Sequence, residues 1–161
     1  MVVRELPLPD EMRSHMPGAV HEGAALVGVK HNDPPPRVVE AINEFIAKPP
    51  KKSWFKKIDN WNERAIPIGA LWGMQMVRQF QWEWTLVEED DEDASKSVAV
   101  FDKRRSLGIY PFDYLFGCLE NKAYPTILLA FNMLMAGSIN TGPERAYENL
   151  MDGVQHIVPP E

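Results

Sequence analysis

Residues 80–112 read FQWEWTLVEEDDEDASKSVAVFDKRRSLGIYPF, and a change of period at their start sets the fold. Just upstream, in PIGALWGMQMVRQF (67–80), Ile68, Leu71, Trp72, Met76 and Phe80 recur three or four apart, the repeat of one helix face. From Phe80 the repeat drops to two. Phe80, Trp82, Trp84 and Leu86 then point one way, and Gln81, Glu83, Thr85 and Val87 the other, which is the pattern of a half-buried strand. Short apolar runs at 96–102 and 105–110, joined by the polar turn Asp102–Arg104, add two more. With the first at 80–88, they predict a small three-stranded antiparallel meander.

Helical periods surround that core. NDPPPRVVEAINEFIAKPP places Val38, Val39, Ile42, Phe45 and Ile46 on one face, with proline tolerated in the first turn, and predicts a helix over 36–47. Trp54, Phe55, Ile58 and Trp61 predict a short helix after Ser53. The helix from Pro67 carries Gly69 and Gly73 four apart on one face, which implies close approach of a neighbouring backbone. PFDYLFGCLEN predicts a helix from Pro111. ILLAFNMLMAG, at 127–137, is apolar nearly all round and predicts a helix buried on most sides, with Asn132 inside and Gly137 closing it. GPERAYENLMDGVQHI predicts one more. Eight of the 14 prolines fall in the first 50 residues. Each fixes φ and removes a donor, so residues 1–35 are expected to form an extended proline-rich arm, with GAALVGVK (23–30) as a short strand. Residues 36–158 then make a single α+β domain, its meander covered on one face by helices.

Composition narrows the functions. The chain has 161 residues, 45% apolar and 25% charged, an ordinary globular balance. The net charge of −6 opposes binding to nucleic acid, where lysine and arginine must displace counterions. KKSWFKK (51–57) could contact bases only as a local patch, and its lysines are expected to face water. No apolar run reaches the ~20 residues of a membrane helix. The N-terminus lacks a basic stretch followed by an apolar one, so a soluble cytoplasmic protein is expected.

The candidate sites follow from residue type and spacing. Glu88, Glu89, Asp90, Asp91, Glu92 and Asp93 are six consecutive carboxylates between two strands. A calcium loop needs alternating oxygen ligands and a glycine at its turn, and this run has no glycine. It reads as a solvated hairpin tip, available as a docking surface for a basic partner. The five tryptophans at 54, 61, 72, 82 and 84 are expected first in the core, with Trp54 and Trp61 as the candidates for a partly exposed binding face. The histidines, at 15, 21, 31 and 156, show no zinc-ligand spacing, so no metal or cofactor is expected. Cys118 sits alone on an apolar helix and reads as a core residue. An enzyme would need the fold to bring Cys118 or Asp113 to a histidine.

Gly69, Gly73, Trp82, Trp84, Tyr110, Pro111 and Phe112 give the chain a likeness to another group of proteins. Over about 68–137 it resembles small uncharacterised bacterial domains with a Gly-x-x-x-Gly helix, a Trp-Glu-Trp strand and a Tyr-Pro-Phe entry into a helix. Gln81 stands where that pattern carries glycine. The resemblance implies an architecture. In style it suggests a non-catalytic immunity or adaptor protein that binds another protein or a second copy of itself. A small enzyme and a weak nucleic-acid binder through Lys51–Lys57 are the alternatives.

Overall fold

The computed structural model describes residues 2–48, 61–121 and 124–155. In chain order run β1 (Val2–Leu6), α1 (Asp10–Val27), α2 (Pro35–Ala47) and α3 (Trp61–Phe80). There follow β2 (Glu83–Glu89), β3 (Lys96–Phe101), β4 (Leu107–Ile109), α4 (Pro111–Asn121), α5 (Ile127–Met135), β5 (Glu148–Asn149) and α6 (Leu150–Gln155). The class is α+β. Among the described residues the sheet has five strands in the order β1-β2-β3-β4-β5, antiparallel except for the parallel β4–β5 pair. The expected three-stranded meander is its centre, with β2 and β3 in register from Glu83↔Phe101 to Glu88↔Lys96. The two outer strands were not foreseen because five and two residues are too short to show a period.

The N-terminal third is not an extended arm. Residues 10–27 form an 18-residue helix, although Pro17 lies inside it. An interior proline costs about 3 kcal/mol by removing one backbone bond and crowding the preceding turn. Burial of Met16, Val20, Gly23 and Ala24 offsets that cost. Gly23 is required here. A β-carbon at this position would collide with the backbone carbonyl of Pro67 in α3. Residues 23–30 are not a strand either, since Gly28 closes α1 in the left-handed conformation at φ 78°, its N–H donating to the carbonyls of Ala24 and Ala25.

Helix α3 begins at Trp61, so Pro67 lies within it rather than at its start. The small faces of Gly69 and Gly73 admit aromatic rings, not the expected backbone. Gly69 faces Phe112 and Gly73 faces the indole of Trp84. On the helix side of the sheet, Val100, Leu107 and Ile109 join the main core, and Trp84, Leu86 and Val98 pack against it. Trp82 reaches α5 through Phe80, whose ring centroid lies 5.9 Å from Trp82 and 5.3 Å from Phe131.

The other sheet face is also covered, contrary to the expectation of helices on one side and water on the other. Val87, Ala99 and Phe101 are fully buried there beneath Tyr110 and Tyr147. The cover comes from the irregular chain before β5. Arg145 N–H donates to the Arg104 carbonyl at 2.9 Å, and Tyr147 N–H to that of Arg105 at 2.9 Å. The described part of the helix expected over 142–157 is thus mostly this segment, with residues 150–155 helical.

Helix α5 also differs from expectation. Leu129, Asn132 and Met135, three apart, lie on its exposed side, so Asn132 is a surface residue. Gly137 does follow its end with φ 68° and N–H bonded to Leu134 O. The expected helix around Trp54 lies outside the described residues.

Candidate functional site

The carboxylate block divides into three parts. Glu88 is in the ladder, and its two oxygens accept Arg4 Nε at 2.8 Å and Nη2 at 3.2 Å, which ties β1 to β2. Asp91 builds the turn. Its carboxylate accepts Ser95 Oγ at 2.6 Å and Ser95 N at 2.8 Å, and these bonds hold it below its ordinary pKa. Ala94 beside it takes φ 48°. Asp90, Glu92 and Asp93 are exposed at the tip. Successive residues of a strand point to opposite faces. Glu89 therefore leaves the face that Glu88 occupies and points to the other.

There Glu89 meets two acids distant in sequence. A pocket of about 330 Å³ opens between the β2–β3 hairpin, the start of α4 and the start of α6. Glu89, Asp113 and Asp152 line it together with Tyr110, Tyr114 and Ser97, and among the described residues no lining side chain is cationic. Pro111 begins α4 and puts Asp113 in its first turn. Tyr110 stands edge-on to Phe101, 5.8 Å between centroids. Its phenol is pushed up to about 12, first by burial and then by the charges of Glu89, Asp113, Tyr147 and Asp152. Tyr114 is likewise pushed up to about 12, mainly by burial, and its hydroxyl accepts Thr126 N at 3.1 Å before α5. At neutral pH both phenols keep their protons, so the pocket's negative charge comes from its carboxylates.

A second set of polar side chains fixes where β5 and α6 sit. Glu5 Oε1 accepts Arg105 Nε and Thr85 Oγ1, each at 2.9 Å, and Glu5 Oε2 accepts Tyr147 OH at 2.7 Å. Arg105 Nη1 donates to Glu83 at 2.8 Å. Burial works to raise the Glu5 pKa, but the bonds from Tyr147, Thr85 and Arg105 outweigh it and hold the carboxyl below its usual range. Arg105, Arg145 and Tyr147 adopt φ of 57°, 62° and 50°. Such left-handed residues cost on the order of 1–3 kcal/mol each and persist only where surrounding bonds fix them. The network thereby holds Asn149 and Asp152 at the pocket. Sequence reasoning missed it because Glu5, Arg105 and Tyr147 lie 100 and 142 residues apart along the chain.

Among the described residues, Cys118 and the histidines at 15, 21 and 31 do not join the pocket. Cys118 is buried, its thiol pushed up by burial, and its hydrogen-bond partner is Tyr114. That is the reverse of an activated nucleophile. His15 sits instead at an apolar groove of about 370 Å³ lined by Met12, Met16, Ile66, Ala70 and Phe112. Trp54, Lys51–Lys57 and His156 lie outside the described residues, and Trp61 opens α3. Among the described residues, no group of three or more His, Cys, Asp or Glu is placed to hold a metal ion. No helix among them is long and apolar enough to cross a membrane.

The fold and site together define an α+β chain with an acidic, tyrosine-floored pocket beside an acidic hairpin tip. The chain matches no protein-family model, no curated protein and no solved structure.

Proposed function

We propose that this chain is a non-catalytic partner-binding protein, of adaptor or immunity type, whose partner presents basic side chains. The observation that carries the reading is the continuity of negative charge through Glu89. It links the exposed acids of the hairpin tip to a pocket that also holds Asp113 and Asp152 and, among the described residues, has no lining cation. A lysine or arginine entering there meets the carboxylates of Asp113 and Asp152 and the faces of two tyrosines, a combination that favours cations by charge and by ring quadrupole. The net charge of −6 would speed the encounter.

Fluorescence anisotropy with a labelled arginine-rich peptide tests this. Binding should weaken steeply with salt and fall about tenfold or more in an Asp113→Asn/Asp152→Asn variant. Neutralising Asp90, Glu92 and Asp93 should lower mainly the association rate. Absence of binding at low salt, or equal binding by the pocket variant, would refute the reading. If the partner is a second copy, supplying its own Lys51–Lys57, sedimentation will show dimers that the same pocket variant loses.

A further inference from the structure

Two imidazoles that the sequence keeps ten residues apart come into ring contact in the fold. His21 lies on α1 and His31 in the turn that follows it. Their ring centroids are 4.0 Å apart and their planes inclined by 47°. Both residues are exposed.

The backbone around them is tightly held. Gly28 closes α1 just before the turn. Asp33 N–H donates to the Lys30 carbonyl at 3.0 Å, and Asp33 Oδ2 accepts Lys30 N–H at 3.0 Å. From α3, Arg78 Nη1 donates to the carbonyls of Asp33 at 2.8 Å and His31 at 3.3 Å. The carrier of His31 is thus fixed against both α1 and α3, and side-chain rotation is the main freedom left to the pair.

We propose that His21 and His31 form a two-imidazole site for a borderline first-row divalent cation, the class of Cu²⁺, Ni²⁺ and Zn²⁺, completed by water. Imidazole nitrogen binds such ions at about 2.0–2.1 Å, which puts each ring centroid about 3.2 Å from the metal. Two rings at about 90–110° on one ion then have centroids about 4.5–5.2 Å apart. The observed 4.0 Å is about 0.5–1.2 Å short of that, a difference that small rotations of two exposed side chains supply. The absence of a third protein ligand among the described residues makes the site open and exchangeable. Preference should follow the Irving–Williams order, with Cu²⁺ tightest. A bound ion would brace α1 against the turn that Arg78 anchors to α3. The site is independent of the acidic pocket, so either can fail without the other.

The test uses the full chain without a purification tag, stripped with a chelator and dialysed. NiCl₂ is titrated by calorimetry, and CuCl₂ is followed by electron paramagnetic resonance for nitrogen coordination. One equivalent should bind through two nitrogens. His21→Ala or His31→Ala should weaken binding by about 10²-fold, the usual advantage of two linked ligands over one, while His15→Ala leaves it unchanged. His31→Gln, similar in size and uncharged, guards against loss of the turn and should behave like His31→Ala. The proposal is overturned if the wild-type chain shows no saturable binding below about 1 mM Ni²⁺. It is equally overturned if the His21→Ala/His31→Ala double variant binds as the wild type does.

Discussion

Glu5→Gln removes one charge from the network that fixes the outer sheet face and leaves its shape nearly intact. With its amide oxygen in the place of Oε1, glutamine still accepts from Thr85 and Arg105, and its NH2 faces the Tyr147 hydroxyl as a donor, so the change mainly removes the charge from the bond with Arg105. A hydrogen bond to a charged group contributes about 1.5–3 kcal/mol. Glu5 and Arg105 retain 26% and 20% of their side-chain exposure, so solvent screening removes part of that. Arg105 also keeps Glu83 and is not left unpaired. The expected loss is therefore about 1–2 kcal/mol at pH 7, or about 2–8 °C in Tm for a chain of this size.

The sign with pH is fixed by the depressed carboxyl. Folding lowers the Glu5 pKa below its ordinary 4.5, so its stabilisation is fully present above that value. It is lost as pH falls through the folded-state value. Urea unfolding followed by tryptophan fluorescence measures both variants across that range. The gap between wild type and Glu5→Gln should shrink as the pH is lowered below about 4.5. Equal stability at pH 7, or a gap that widens on acidification, would refute the role given to Glu5.

Two glycines of α1 should respond with opposite signs. Gly23→Ala drives a methyl into the Pro67 carbonyl and should cost about 2–4 kcal/mol. Gly18→Ala, with nothing within 4 Å of its β-carbon, should instead stabilise by about 0.5–1 kcal/mol through helix propensity. Thermal melts of the two variants read both effects. Cys118, buried and with its thiol pushed up, should react with a disulfide reagent only at the rate of unfolding. A fast native-state reaction would show an accessible thiolate.

The elements legible in the sequence are those whose period outlasts their interruptions. Val38 to Ile46 and Phe112 to Leu119 hold a helical repeat after a proline that sits at the start, and α2 and α4 lie there. The alternation from Trp82 to Val87 gives β2, though Thr85 and Val87 looked solvent-facing because nothing local showed that Tyr147 would return over them. In α1, Pro17, Gly18 and Gly23 weaken every local sign of a helix, and only contact with Pro67 and Leu71 of α3 makes Gly23 an asset. Gln81 at φ 57° shows why glycine would suit the turn from α3 into β2. The acidic run was legible as a hairpin tip, but its division into ladder, turn and pocket depends on strand parity and on Asp113 and Asp152 arriving from separate helices. No spacing rule pairs His21 with His31, since the contact exists only once Gly28 reverses the chain.

The central claim is that the pocket around Tyr110 receives a basic side chain. Amide NMR during titration with a short arginine-bearing peptide, repeated with its citrulline twin of equal size and no charge, tests it most directly. The expected result is a set of shifts at Glu89, Tyr110, Asp113 and Asp152 that the citrulline peptide does not produce. Shifts centred elsewhere, or identical shifts from both peptides, would contradict it.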